Sequence, residues 1–113
     1  MSPPIALVVD DEPDIRDLLE LTLLKMDVAS VSAENLGDAR HALEQQQFDL
    51  CLADMRLPDG DGIELVRHIS SHYPCLPVAM ITAHGNMETA IAALKAGAFD
   101  FISKPVELPV LRK

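Results

Sequence analysis

Three carboxylates, a hydroxyl and an amine stand where apolar, strand-like segments of the sequence end. They are Asp10, Asp11, Asp54, Thr82 and Lys104. Asp54 follows the apolar run 50–53 and precedes a segment rich in proline, glycine and aspartate, which predicts a turn. Because reactive groups collect at the carboxyl ends of strands in open parallel sheets, we interpret Asp54 as a nucleophile.

The three carboxylates need a counter-ion if the fold brings them together. Carboxylates about 6 Å apart repel one another by about 3 kcal/mol at an effective dielectric constant of about 20. Mg²⁺ fits this need, because it is a hard cation that prefers oxygen ligands. Asp54 can then attack a phosphorus atom while the metal and Lys104 neutralise negative charge and Thr82 donates its hydroxyl.

Each of these side chains also has an ordinary structural explanation. Asp10 and Asp11 precede Pro13 and can favour a helix N-terminus, and Asp54 can cap a turn. Thr82 is a typical β-branched strand residue, and a lysine before a proline is most often a solvated charge. The five residues indicate phosphoryl transfer only jointly, because each is a part that this chemistry requires.

Short apolar runs alternate with helical patterns along the chain, which predicts an α/β domain. The predicted strands are 5–9, 28–33, 50–53, 78–81 and 99–102. Strands two and five carry polar interruptions and are placed at the edges, giving a flavodoxin-like, doubly wound parallel sheet of order 2-1-3-4-5. Asn35 and Asp61, each followed three residues later by an acid, are predicted to cap the starts of two helices. Helices cover both faces, and the last one, from Val106, is expected to be cut short at Lys113.

Length, charge and cysteine content limit the classes of protein. The 113 residues, 49% of them hydrophobic, allow one domain, 1–113, with a buried core. A net charge of -9 argues against direct contact with nucleic acid or an anionic membrane. No segment predicts a signal peptide or a membrane span, and Cys51 and Cys75 lack metal-type spacing. We expect a cytoplasmic domain with two structural thiols.

Four motifs resemble the signature of response-regulator receiver domains of two-component signalling. They are residues 9–13, 54–60, 81–83 and 104–105, so that the resemblance covers nearly the whole chain. The resemblance implies that Asp54 accepts a phosphoryl group from a sensor histidine kinase and that the domain is not a turnover enzyme. It also implies that Asp10, Asp11, Asp54 and the backbone carbonyl of Arg56 bind Mg²⁺ and that Lys104 contacts the phosphoryl group.

The same resemblance assigns a switch and two tuning positions. Thr82 and Phe101 are the expected switch pair, which changes the surface of the fourth helix and fifth strand after phosphorylation. Arg56 and His84 occupy positions expected to tune the lifetime of the phosphoryl group, which the domain is expected to remove from itself. A cis peptide bond before Pro105 and a homodimer through the fourth and fifth helix region are further expectations.

Three segments resemble one subgroup of receiver domains. Residues 54–62, 79–85 and 92–101 are similar to receivers of the NtrC-like group, whose members activate sigma-54 promoters, and most of all to the regulator of type IV pilus (fimbriae) expression. Members of this group carry an AAA+ ATPase domain and a DNA-binding helix-turn-helix after the receiver. We therefore expect this sequence to be the N-terminal part of a longer regulator of transcription, with those output domains as partners.

Three alternatives remain to be weighed. A phosphatase of the haloacid-dehalogenase type also uses an aspartate nucleophile and Mg²⁺, but it places an Asp-x-Asp motif after strand one, whereas Asp10 and Asp11 are adjacent and Asp54 follows strand three. A flavodoxin-like electron carrier needs a Ser/Thr/Gly-rich phosphate cradle where this chain has acids. A stand-alone receiver that acts by protein contact alone has the same signature, and that alternative stays open.

Overall fold

The computed structural model describes residues 4–82 and 87–103 of the chain. Within these residues, the elements in chain order are β1 Ile5–Val9, α1 Pro13–Lys25, β2 Ala29–Ala33, α2 Leu36–Gln45, β3 Leu50–Asp54, β4 Arg56–Leu57, β5 Gly60–Asp61, α3 Gly62–His72, β6 Val78–Thr82, α4 Met87–Ala96 and β7 Asp100–Ser103. The predicted last helix lies outside the described residues.

Five of the strands form one parallel sheet in the order β2-β1-β3-β6-β7. This confirms the predicted order 2-1-3-4-5, with β6 and β7 as the predicted strands four and five. The interior strands β1 and β3 are buried after their first residue, whereas most of β2 is exposed or half-buried. The polar interruptions in β2 therefore mark a sheet edge, as the sequence predicted.

A two-stranded antiparallel hairpin follows the main strand β3, where the sequence predicted only a turn. In it Arg56 pairs with Asp61 and Leu57 pairs with Gly60. Gly60 has a φ of 156°, a backbone angle that L side chains rarely adopt. The prediction of a plain turn was therefore incomplete, because two residue pairs are too few for a detectable alternation of apolar and polar residues.

The sheet has a hydrophobic core on each face, as predicted. The core on the first face joins Leu7, Val9, Cys51, Ala53, Val78 and Met80 of the sheet to α2, α3 and α4. The core on the second face joins Ala6, Val8, Leu52, Ala79 and Ile81 to α1 through Leu19 and Leu23. Successive residues of each interior strand thus belong to opposite cores, and both faces of the sheet are covered.

Side chains predicted as helix caps form the expected hydrogen bonds. Asn35 Oδ1 accepts from Asp38 N at 2.7 Å at the start of α2, and Asp61 Oδ1 accepts from Glu64 N at 3.0 Å at the start of α3. Pro13 begins α1. Among the described helices, none is both long enough and apolar enough to cross a membrane.

The two cysteines differ in exposure, and this difference should be measurable. Cys51 in β3 is fully buried, and its burial raises the pKa of its thiol to about 12, whereas Cys75 is exposed. Because the thiolate is the reactive form, we expect one thiol to react with a disulfide reagent in the native protein and two after denaturation. Cys75→Ser should abolish the native reaction, while Cys51→Ser should leave it intact. Rapid reaction of both native thiols would contradict this placement.

Candidate functional site

Two buried aspartates lie side by side at the carboxyl ends of β1 and β3. Val9 pairs with Ala53 in the parallel register, so that Asp10 and Asp54 are the next residues on these two strands. Asp10 is 1% exposed and Asp54 is 6% exposed. Burial of charged carboxylates is costly unless they have polar or cationic partners, and this placement therefore indicates a site rather than ordinary surface acids.

Four carboxylates converge at this edge of the sheet. One oxygen from each of Asp10, Asp11, Glu12 and Asp54 lies within 4.8 Å of the others, with Asp11 and Glu12 exposed. Two full charges 4.8 Å apart repel one another by about 3 kcal/mol at an effective dielectric constant of about 20. In octahedral Mg²⁺ coordination with bonds of about 2.1 Å, ligand oxygens lie about 3.0 to 4.2 Å apart. The all-oxygen donor set therefore suits Mg²⁺, and its oxygens lie close enough together to face a single ion.

Three hydrogen bonds hold Asp10 in position. Its Oδ1 accepts from Glu12 N at 2.9 Å, and its own N donates to Ala33 O at 3.0 Å. Arg16 Nη1 donates to the Asp10 carbonyl oxygen at 2.7 Å. The N-cap of α1 is Glu12 and no side chain caps this helix, so Asp10 does not act as the helix cap that its ordinary explanation assumed; it accepts a hydrogen bond in the turn before α1 instead. Sequence reasoning did not predict the role of Arg16.

Thr82 and Phe101 lie on neighbouring strands, with Phe101 two positions before the residue that pairs with Thr82. Asp54 pairs with Ile81, the residue before Thr82, and Met80 pairs with Phe101. Thr82 pairs with Ser103, the last residue of β7. Of the other predicted site residues, His84, Lys104 and Pro105 lie outside the described residues.

Gly62 lies in close contact with the backbone of Asp54. Gly62 N donates to Met55 O at 2.7 Å, and a Cβ placed on Gly62 would lie 2.1 Å from the Asp54 carbonyl oxygen and 2.7 Å from Met80 Cε. Only glycine permits this approach. Sequence reasoning missed this contact, although a second glycine two residues after Gly60 was the available signal.

The hairpin after Asp54 is joined to α2 by one aspartate. Asp59 Oδ1 accepts from Leu36 N at 2.7 Å, and Asp59 Oδ2 accepts from Gly37 N at 3.0 Å. The hydrogen bond from Leu36 is the main cause that lowers the pKa of Asp59, with smaller contributions from Gly37 and the charge of Arg40. Two backbone N–H groups in the first turn of α2, which have no acceptor within the helix, thereby donate to a residue in a distant part of the sequence.

The doubly wound parallel sheet has its acid cluster at the ends of two central strands, which is the edge at which such sheets bind ligands. The profile of the response regulator receiver domain family matches residues 6–113, and the chain belongs to this family. It is therefore the receiver domain of a two-component response regulator, a signalling domain and not a turnover enzyme.

Two relatives show which response regulators this chain is similar to. The chain is 59% identical over 113 residues to the response regulator protein PilR of Pseudomonas aeruginosa. The aligned region covers 100% of this chain and 25% of that protein. It is 39% identical over 101 residues to the DNA-binding transcriptional regulator NtrC of Proteus hauseri. This alignment covers 89% of this chain and 21% of that protein. The chain thus spans about a quarter or less of these relatives and is of the PilR and NtrC type.

A solved structure shows the same fold. The beryllofluoride-activated NtrC4 receiver domain dimer superposes with a TM-score of 0.90 at 32% identity, which covers 96% of this chain and 89% of that chain. The predicted flavodoxin-like fold is thereby confirmed by comparison as well as by the sheet order.

The contact behind Asp54 predicts a different effect for two glycine substitutions. Gly62→Ala should destabilise the fold by about 1 to 3 kcal/mol, because its Cβ must displace the Asp54 backbone. Gly37→Ala is the matched control, since its Cβ would have no neighbour closer than Asn35 Oδ1 at 3.4 Å, and its effect should stay within about 0.5 kcal/mol. Urea melts measure both, and equal midpoints for the two variants would contradict the assignment.

The hydrogen bonds of Asp59 predict a pH-dependent effect on stability. A carboxylate whose pKa is lowered on folding stabilises the native state above its unfolded pKa of about 3.9, and this stabilisation is lost as the pH falls through the folded value. Asp59→Asn should therefore be less stable than the parent at neutral pH, with a difference that shrinks below about pH 4.

Urea midpoints between neutral pH and pH 3 measure this difference. Asp17→Asn makes the same change of charge on an exposed α1 residue and serves as the control. A parent-to-variant difference that stays constant over this range, or one that Asp17→Asn reproduces, would disprove the role of the Asp59 charge.

Proposed function

We propose that Asp54 is the phosphoacceptor of this receiver domain and that a sensor histidine kinase supplies the phosphoryl group. The observation that carries the proposal is the burial of Asp10 and Asp54 together, with four carboxylate oxygens within 4.8 Å at one edge of the sheet. Such a concentration of negative charge is costly in an ordinary core and suits a site that binds a cation and a phosphoryl group.

Asp10, Asp11, Asp54 and the backbone carbonyl of Arg56 are the proposed ligands of Mg²⁺. The carbonyl belongs to the first residue of β4, two positions after Asp54. When bound, the ion supplies positive charge that offsets both the carboxylate repulsion and the charge of the transferring group. Hydrogen bonds of the Asp10 backbone with Ala33 O and with the Arg16 side chain hold Asp10 in position to bind the ion.

The chain's own groups carry out the transfer. A carboxylate oxygen of Asp54 attacks phosphorus, and the bond between phosphorus and the kinase's histidine nitrogen breaks as the new O–P bond forms. Lys104 neutralises charge on the phosphoryl oxygens, and the Thr82 hydroxyl donates to one of them. Water later hydrolyses the acyl phosphate in self-dephosphorylation, at a rate that Arg56 and His84 tune.

Phosphorylation is proposed to act through Thr82 and Phe101 on the surface around α4. The pairing of β6 with β7 supports this route, because it places the two residues on neighbouring strands. Ile91 and Leu94 of α4 are 44% and 48% exposed, and Phe99 is 56% exposed. This apolar surface supports a homodimer through the region of the fourth and fifth helices, and the NtrC4 receiver is itself a dimer.

The output is proposed to be sigma-54-dependent activation of transcription, with pilus genes as the targets. The identity to PilR over the entire chain supports this, as does the similarity to NtrC. Residues 1–113 would then be a single N-terminal receiver domain of a cytoplasmic regulator, followed by its own ATPase and DNA-binding domains. The reading frame after residue 113 distinguishes this arrangement from a stand-alone receiver.

A phosphatase with an aspartate nucleophile is the less favoured alternative. Such an enzyme would place its acids in an Asp-x-Asp motif after β1, whereas Asp10 and Asp11 are adjacent and Asp54 lies at the end of β3. Multiple turnover on a phosphate ester would favour the phosphatase, while one phosphoryl group accepted per chain from a phosphodonor, without turnover of the ester, favours the receiver.

Phosphorylation at Asp54 is tested with a small phosphodonor and Mg²⁺. Intact mass and peptide mapping should locate one phosphoryl group on Asp54, and Asp54→Asn should abolish it. Asp49→Asn is the matched control, because Asp49 lies just before the same strand at the opposite edge and its Oδ2 accepts from Ile5 N at 2.9 Å. Asp49→Asn should be modified as fully as the parent.

The metal requirement is tested in the same assay. Removal of Mg²⁺ with a chelator should prevent phosphorylation of the parent, and Asp11→Asn should remain poorly phosphorylated at saturating Mg²⁺. Full modification of Asp54→Asn would overturn the phosphoacceptor assignment, and full modification of Asp11→Asn would remove Asp11 from the metal site.

A further inference from the structure

The two peptide groups that flank Asp11 are each held by a hydrogen bond. Arg16 Nη1 donates at 2.7 Å to the Asp10 carbonyl oxygen, which belongs to the peptide group before Asp11. Glu12 N, which belongs to the peptide group after Asp11, donates to Asp10 Oδ1 at 2.9 Å. Because a peptide group is planar, holding both groups limits the directions in which the Asp11 side chain can leave the backbone.

Arg16 is connected to this turn through its backbone as well as its side chain. Arg16 N donates to Glu12 O at 3.1 Å, in the first turn of α1. Arg16 is half-buried, whereas Asp11 and Glu12 are exposed. Burial therefore does not hold the Asp11 side chain, and the placement of its carboxylate in the cluster with Asp54 depends on the backbone of this turn.

The contact with the Asp10 carbonyl oxygen requires a side-chain donor. Asp10 lies six residues before Arg16, beyond the four-residue spacing of the backbone hydrogen bonds in an α-helix. A hydrogen bond from a charged donor is stronger than one between neutral groups. The planar guanidinium also directs its N–H groups along fixed directions, so that it orients the carbonyl group that it binds.

We propose that Arg16 is a positioning residue of the metal site, which directs the Asp11 carboxylate toward the ion by holding the peptide group before Asp11. This role rests on the proposed function, in which Asp11 binds Mg²⁺. Arg16 acts through Asp11 and is not itself a ligand, because a guanidinium group has no acceptor atom. Replacement of residues that orient metal ligands typically weakens metal binding by about 10- to 100-fold.

The charge of Arg16 has the opposite effect on metal binding. The guanidinium lies beside Asp10, and its positive charge repels a cation in the same cluster. If Arg16 acted through its charge alone, Arg16→Gln would bind Mg²⁺ more tightly than the parent. If Arg16 acts by holding the turn, Arg16→Gln binds Mg²⁺ more weakly. The direction of the change in Kd therefore distinguishes the two roles.

Mg²⁺ titration of the full chain, followed by the amide NMR signals of residues 10–12 and 54, tests the proposal. We expect the Kd of Arg16→Gln for Mg²⁺ to be about 10-fold or more above that of the parent. Arg16→Lys keeps the charge and a donor, so it should bind Mg²⁺ more tightly than Arg16→Gln, whereas charge alone would give the reverse order. Lys25→Gln is the matched control, because it removes a positive charge from the exposed last residue of the same helix, and it should keep the parent's Kd.

Phosphorylation by a small phosphodonor separates positioning from the transfer itself. Because Arg16 acts on the affinity for Mg²⁺, a raised Mg²⁺ concentration should restore the phosphorylation of Arg16→Gln to the extent seen in the parent. Asp11→Asn lacks a proposed ligand and should stay poorly phosphorylated under the same conditions. Phosphorylation of Arg16→Gln that raised Mg²⁺ does not restore would overturn a role in positioning alone.

The titration also distinguishes failure of this role from failure of the metal site. A parent that binds Mg²⁺, together with an Arg16→Gln variant of equal or tighter affinity, would overturn the role of Arg16 while the metal site stands. A parent without a saturable response to Mg²⁺ would overturn the metal site and this role together. Circular dichroism of each variant without Mg²⁺ establishes that weaker binding is not loss of folding.

Discussion

The repulsion between carboxylates at one edge of the sheet is the constraint on which the rest of this structure depends. Asp10 and Asp54 are buried there, at the ends of adjacent interior strands, and the exposed acids Asp11 and Glu12 add further negative charge. Apolar residues in β1 and β3 provide the burial that holds this concentration of charge in place. A cation beside this cluster would offset a large part of that repulsion.

Hydrogen bonds and one close backbone contact hold the segments around the acids. Gly62 lies against the Asp54 carbonyl, and Asp59 joins the hairpin to the first N–H groups of α2. Hydrogen bonds with Ala33 and Arg16 hold the backbone of Asp10. A change of charge at Asp54 therefore acts on a chain whose neighbouring segments are mechanically connected. This connectivity is the physical basis on which a small local change can alter a distant surface.

Much of the fold and the site was predictable from residue pattern. The continuous apolar runs predicted the interior strands, and the polar interruptions of β2 predicted an edge, because burial on both faces removes the alternation seen in half-exposed strands. The caps at Asn35 and Asp61 followed from local spacing, and both hydrogen bonds are formed. The hairpin was not predicted, because two residue pairs are too few for a detectable alternation of apolar and polar residues. The contact of Gly62 and the hydrogen bonds from α2 to Asp59 were not predicted, because no local pattern encodes which segments pack together.

The sequence by itself determined which strands form the main sheet, their order in it and the edge at which the acids gather. These properties depend on hydrophobic periodicity, on capping residues and on the handedness of parallel crossovers, which act over short stretches of chain. Only the tertiary structure decided that Asp10 and Asp54 are both buried and that Glu12 joins their cluster. Burial and charge proximity depend on distances between residues far apart in the chain, and those distances exist only after the helices pack on the sheet.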